Sequence, residues 1–180
     1  MKQKIEEKIA IPEGISCTYI SGILRCSRNG IETERKIQIP EIKLSLSGNE
    51  IVFKCEKGNK NHYKKIMTQI AHIKNMFKGL EKNFVYELEI CHVHFPPTLK
   101  VEGSKLTINN FFGEKSPRHA EILPNVKVEI KAQKIFVSSP DKEAAGKTAA
   151  NFERATSIRR RDRRIFQDGI YIVTKPGAGK

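Results

Sequence analysis

The chain has 180 residues, 38% of them hydrophobic, and its 33 Lys and Arg against 20 Asp and Glu leave a formal charge of +13. That apolar content excludes a disordered chain and suffices for one good core or two small ones, while no stretch approaches the ~20 consecutive apolar residues of a bilayer helix. The positive surplus is shared almost evenly between residues 1–82 and 83–180 and points to an anionic partner.

The first 14 residues (MKQKIEEKIAIPEG) are charged and lack the apolar core of a secretion signal, so a cytosolic protein is expected. Strands are predicted over Ile15 to Ile20, Ile23 to Ser27 and Ile31 to Ile39, separated by the turn pairs Ser21-Gly22 and Asn29-Gly30. A hairpin follows in Ile39 to Phe53, where apolar residues alternate at period two around Ser47-Gly48-Asn49. From about Asn61 to Gly79, Tyr63, Met67, Ile70, Ile73 and Met76 recur at helical spacing, with Asn59 or Asn61 as N-cap and Gly79 as a left-handed C-terminal residue.

After a short linker around Leu80 to Asn83 the pattern returns. Strands are predicted over Phe84 to Phe95, Leu99 to Glu102 and Lys105 to Asn110, broken by Pro96-Pro97 and Gly103-Ser104. Leu123 to Val137 repeats the first hairpin at an offset of 84, aligning Pro124 with Pro40 and the pairs Ile42/Val126, Leu44/Val128, Leu46/Ile130, Ile51/Ile135 and Phe53/Val137. An offset of 82 then carries the helical set onto Ala145, Ala149, Phe152, Ala155 and Ile158, with Asp141 as cap. The expected fold is α+β: two tandem duplicated small domains, 1–82 and 83–180, each a mostly antiparallel twisted sheet with one packed helix, held in a fairly fixed relation by so short a linker.

Signals for catalysis or cofactors are weak. Cys17, Cys26, Cys55 and Cys91 have no C-x-x-C pair, and the first three lie in strand-like runs where a small buried thiol is the default, so no disulfide framework is expected. His92 and His94 share a strand face but lack a third ligand at sensible spacing, so no metal site is assigned. Gly146-Lys147-Thr148 lacks the glycine five residues earlier that a phosphate loop requires, because Asp141 stands there. The ending Pro176-Gly177-Ala178-Gly179-Lys180 reads as a flexible tail of no assigned role. No catalytic residue and no cofactor is assigned.

The arginines carry the functional signal. Six of ten, Arg154, Arg159, Arg160, Arg161, Arg163 and Arg164, fall within eleven residues, whereas lysine supplies most other positive positions. A guanidinium grips phosphate through a planar fork, so this cluster points to folded RNA or DNA in preference to a merely solvated surface run.

Several segments together resemble a known family. They are His94-Phe95-Pro96, Asn110-Phe111-Phe112-Gly113-Glu114-Lys115-Ser116-Pro117-Arg118, Thr148-Ala149-Ala150-Asn151, and the run RDRRIFQDGIYIV from Arg161 to Val173. They are similar to the large-subunit ribosomal protein L-six family, tightly from about Asn75 onward, with an archaeal and eukaryotic type of ending and no eukaryote-type insertion. The resemblance implies two duplicated α+β domains in the large ribosomal subunit of the cytoplasm. It also implies that the C-terminal domain grips large-subunit rRNA near the sarcin-ricin region on the factor-binding side, beside neighbouring ribosomal proteins and within possible reach of translation factors.

By that pattern the rRNA-binding residues are Gly113, Lys115 and Arg118 of one loop, together with Lys147, the six clustered arginines, Gln167 and Gly169. Lys147 replaces the family's usual glutamine, and Arg163 a frequent proline that would fix φ in the Asp162 to Arg164 turn. Phe166 either stacks on a base or anchors the arginine segment beside Ile165, Ile170 and Ile172; one of Phe111 and Phe112 faces the core; and Gly113 and Gly169 are expected at turns of positive φ. Three function classes follow: a ribosomal structural protein, a free-standing RNA-binding module or assembly factor on the same fold, and an enzyme using His92 and His94. The first leads.

Overall fold

In a computed structural model, residues 3–93, 95–159, 161–162 and 164–177 are described. The chain divides into two compact units, Met1–Lys82 and Asn83–Lys180. The first holds β1 (Gln3–Ala10), β2 (Ser16–Ile20), β3 (Ile23–Arg28), β4 (Ile31–Lys36), β5 (Lys43–Ser47), β6 (Glu50–Gly58) and α1 (Lys60–Glu81). The second holds β7 (Phe84–Cys91), β8 (Thr98–Glu102), β9 (Lys105–Asn109), a 3-10 turn (Phe111–Gly113), β10 (Arg118–Glu121), β11 (Lys127–Lys131), β12 (Lys134–Ser139), α2 (Lys142–Ala155) and β13 (Gly169–Thr174). The fold is α+β, and every strand pairing described is antiparallel.

Among the described residues each unit contains two sheets and one α-helix. A meander, β2-β3-β4 or β8-β9-β10, accompanies a second sheet of order β1-β6-β5 in the first unit and β11-β12-β7-β13 in the second. The duplication extends to backbone detail. Strands β5 and β11 begin and end 84 residues apart. Glu41 and Asn125, the residues after the aligned prolines, are both left-handed (φ 68° and 60°), as are Gly48 and Ala132 (φ 59° and 50°) in the hairpin turns. Ile11 N–H donates to Asn49 O at 2.8 Å, and Ile90 N–H to Gln133 O at 2.8 Å. Strand β1 is therefore the counterpart of β7.

That equivalence corrects the alignment of the leading strands. The strand from Phe84 corresponds to Gln3–Ala10, where no strand was expected, and not to the strand beginning near Ile15. In β1 the inward-facing Ile5, Glu7 and Ile9 are diluted by an interior glutamate, which weakens the period-two signal. Strand β10 begins at Arg118, the end of the expected Gly113 to Arg118 loop, and runs through residues to which no element is assigned from the sequence.

Both helices start where their caps predict. Asn59 Oδ1 accepts the N–H groups of Asn61 (2.9 Å) and His62 (3.0 Å), and Asp141 Oδ1 accepts that of Glu143 (2.9 Å). Helix α1 packs a different stripe from the expected one: Ile66, Ile70, Ile73, Phe77 and Leu80 are buried, whereas Tyr63 and Met67 are exposed. Two stripes share Ile70 and Ile73, and the branched and aromatic one wins because it fills the space over Ile51 and Phe53. Gly79 does not close the helix; it is buried in the last turn, and α1 continues to Glu81 before Lys82 turns extended. No described helix is long and apolar enough to cross a membrane. All four cysteines are free thiols, with Cys17 and Cys26 paired across β2 and β3 at 2.9 Å.

Candidate nucleic-acid interface

The arginine segment occupies the connection between α2 and β13, and local hydrogen bonds explain its course. Helix α2 ends at Thr156, which is 3% exposed: its hydroxyl lies 3.3 Å from Phe152 O and 3.2 Å from Glu153 O, and accepts Ile170 N–H at 2.9 Å. One side chain thus closes the helix and holds the first turn of β13 against it. At the far end Asp168, 2% exposed, accepts Val93 N–H at 3.1 Å, while its other oxygen has no hydrogen-bond partner among the described residues. The segment is therefore pinned at both ends.

Arg118, at the start of β10, braces the same region. Its Nε and one terminal nitrogen fork onto Glu114 at 2.8 and 2.6 Å, and the other donates to Ala155 O at 2.9 Å and Ser157 O at 3.3 Å. Its guanidinium carbon lies 4.4 Å from the centre of the Phe111 ring. Four of its five donors are engaged inside the protein. The Arg118 fork holds the Glu114 carboxyl below the usual carboxylate range, so this acid stays ionised and locally neutralised.

The preceding loop is strained. Asn110, Phe112 and Gly113 have φ of 58°, 55° and 71°, and a left-handed phenylalanine costs on the order of 1–2 kcal/mol. That conformation buries Phe111 in the core (3% exposed) and leaves Phe112 half-buried. The Phe112 ring centre sits 5.3 Å from Phe111 and 5.8 Å from Phe166. Arg161 lies over both, 4.9 Å from the Phe166 centre and 5.8 Å from that of Phe112. Phe166 packs on Phe112, and Ile165, expected beside it, is 68% exposed.

Phe112, Glu114, Arg118, Ile158, Arg159 and Arg161 enclose a hollow of about 140 Å³. A second, of about 380 Å³, is lined by Arg154 with Glu153, Thr156, Ser157, Ile158 and Tyr171. Arg154, Arg159, Arg161 and Arg164 are exposed; Arg160 and Arg163 lie outside the described residues. Asp162 closes its own turn: its side chain accepts Arg164 N–H at 2.9 Å, and its carbonyl accepts those of Ile165 and Phe166 at 3.2 and 3.0 Å. Gln167 is exposed and donates to Arg164 O at 3.4 Å.

Other positions sit at the margins. Lys147 is exposed on α2 seven residues before Arg154, hence on the same helix face, and Lys115 and Gly113 are exposed in the loop before β10. Gly113 has the positive φ expected of it, but Gly169 does not; it opens β13, packed closely by the Tyr171 ring. Gly146 and Thr148 serve packing: a Cβ at Gly146 would lie 2.8 Å from the Tyr86 hydroxyl, and buried Thr148 accepts Leu123 N–H at 3.2 Å. Among the described residues no three His, Cys, Asp or Glu side chains gather as metal ligands; His92 is described and His94 is not.

Thr156 and Asp168 were not singled out in the sequence. Thr156 carries no periodic signal, whereas Asp168, one of two acids between Arg154 and Gly169, could have been noticed as an acid four residues beyond the arginine run.

Comparison with known proteins bears on this region directly. The family profile described as "Ribosomal protein L6" matches residues 95–169, the stretch that holds both the strained loop and the arginine segment. Three archaeal relatives are each described as "Large ribosomal subunit protein uL6". That of Nanoarchaeum equitans is 42% identical, covering 96% of this chain and 94% of the relative. Those of Methanosarcina mazei and Methanospirillum hungatei are 41% and 39% identical, covering 97% and 95% of this chain and 99% and 97% of the relatives.

Proposed function

The chain belongs to the large ribosomal subunit protein uL6 family, and from that premise we propose that it is a structural constituent of the large subunit whose second unit grips large-subunit rRNA near the sarcin-ricin region. Its partners are that rRNA and neighbouring ribosomal proteins in the cytoplasmic ribosome, with translation factors approaching on the factor-binding side. No catalytic step is assigned.

The observation that carries this reading is the presentation of exposed arginines on a connection fastened at both ends, with Arg161 braced by two aromatic rings. Duplex RNA hides its base edges in a deep groove, so a protein holds it through phosphates, 2′-hydroxyls and the shape of loops. Rigidly presented guanidinium groups suit that task, because little freedom is lost when they bind. Arg154, Arg159, Arg161 and Arg164 make the phosphate contacts, joined by Arg160 and Arg163, with Lys115, Lys147, Gln167 and the backbone at Gly113 and Gly169 at the margin. Arg118 acts by position, holding the α2 terminus and the strained loop together.

Two measurements test this. Tagged protein should sediment with large subunits after a high-salt wash; loss in the wash would favour a free-standing RNA-binding module or an assembly factor. For an isolated rRNA fragment, log affinity against log salt should fall with a slope of roughly −3 to −5 if four to six arginines each neutralise a phosphate. Each Arg→Ala change should flatten the slope by a little under one unit. Unchanged slopes with lowered melting temperatures would make the segment a brace for its own unit, and the contact would move to the Gly113 to Arg118 loop.

A further inference from the structure

The two units differ in one respect that their duplication exposes. In the second, β13 pairs along the outer edge of β7: Gly169, Ile170, Tyr171 and Ile172 face Cys91, Ile90, Glu89 and Leu88. In the first, among the described residues, nothing pairs with the outer edge of β1. The shared hydrogen bonds at Ile11 and Ile90 fix the correspondence, so the β7 residues covered by β13 map onto Ile9 to Pro12. At that place a groove of about 450 Å³ opens between β1 and the last two turns of α1, bordered by Lys8, Ala10, Pro12, Lys74, Phe77 and Lys78.

The groove exists because the two helices end differently. Helix α2 has 14 residues and the chain returns from it as β13, whereas α1 has 22 and continues past the equivalent point. N–H and C=O groups alternate in direction along a strand, and Ile11 N–H is spent on Asn49, so those of Lys8 and Ala10 turn outward. Pro12 offers only its carbonyl.

We propose that this edge of the first unit is a docking site for an extended acidic segment of another protein, which adds to β1 as an antiparallel strand in the place that β13 occupies on β7. Strand addition needs main-chain pairing plus side chains that fit at alternate positions. Strand β13 shows what fits: Ile170 is 1% exposed and Ile172 packs on the core, so alternate β-branched residues face inward. The rim sets the charge. Lys74 and Lys78 are exposed and have no ion-pair partner among the described residues, while Glu81, the groove's acid, is paired with Arg28 at 3.6 Å. Lysine and proline on an edge discourage indiscriminate strand pairing, so the segment that docks must bring carboxylates. This inference stands independently of the RNA reading, which concerns the other unit.

The test uses the full chain and two labelled synthetic peptides of about eight residues, within the usual range of strand lengths, alternating isoleucine with glutamate or isoleucine with lysine. The acidic peptide should bind and perturb amide signals from Lys8 to Glu13 and Lys74 to Glu81. The lysine peptide should bind at least about tenfold more weakly, and the double change Lys74→Glu and Lys78→Glu should cost the acidic peptide a similar factor. Ala10→Pro, which removes an outward N–H, should weaken binding likewise with an unchanged unfolding midpoint; should it fail to fold, the lysine reversals decide. Equal binding of both peptides, or shifts confined to Arg154 to Arg164, would overturn the proposal. So would an rRNA fragment that protects the β1 amides and displaces the peptide, or self-association through β1, since the occupant would then be nucleic acid or a second copy.

Discussion

Thr156 shows how much a single hydroxyl contributes to the course of the arginine segment. It accepts the N–H that begins β13 while closing α2, in a site from which water is excluded. Thr156→Val keeps the shape and leaves Ile170 N–H unpaired, so denaturant unfolding should show a loss of about 1–3 kcal/mol, with rRNA affinity reduced as well. Glu114 gives a pH signature. Its carboxyl is held low by Arg118, so the stabilisation from that pair is fully present above the unfolded glutamate value of about 4.3 and is lost as pH falls through the lower folded value. Unfolding of wild type and Glu114→Gln compared across pH should show a gap at pH 7 that closes below about pH 4; a gap that persists in acid would mean that the side chain stabilises by packing. At this scale the sequence was a partial guide. Arginine type and clustering were readable in order, but the internal commitment of Arg118 depends on bringing β10 next to the end of α2, which no local pattern encodes.

At the scale of elements, turn pairs and caps were legible because they are local: Asn59, Asp141 and the hairpin turns act over two to four residues. The buried stripe of α1 was not, since two helical registers fit the same apolar residues and packing against Ile51 and Phe53 selects one. Strand β1 escaped notice because charges flank its few aliphatic residues, and β13 because it appeared only as the end of a family motif. Helix α2 offers a direct test of packing against propensity. Gly→Ala inside a helix ordinarily gains up to about 1 kcal/mol. At Gly146 the new methyl would meet the ring of Tyr86, itself largely buried, so Gly146→Ala should instead destabilise by about 1–2 kcal/mol. Adding Tyr86→Phe, which removes the hydroxyl nearest the methyl, should recover part of the loss in thermal unfolding; additive losses would place the strain elsewhere.

For the whole molecule the two units carry similar surplus charge but present it differently. Lys54, Lys57, Lys60 and Lys65 of the first unit are exposed singly around β6 and α1. Replacing all four with alanine should weaken rRNA-fragment binding far less than replacing Arg159, Arg161, Arg164 and Arg154; equal losses in the same titration would mean that overall charge governs affinity. The duplication was readable at this scale because it repeats side-chain alternation over dozens of residues, whereas the unequal ends of its copies surfaced only in three dimensions. That inequality also sets an order of events during synthesis. The first unit needs nothing beyond its own helix to close its core, but the strand that completes the second pairs with one made long before, and the hydrogen bond from Thr174 to Glu87 spans 87 residues. At roughly 5–20 residues per second, the ribosome making this chain works for on the order of ten seconds between those two positions. Until Asp168 and Ile170 have been made the arginine connection has neither of its two fastenings, so a nascent chain can hold a finished first unit well before that connection is pinned.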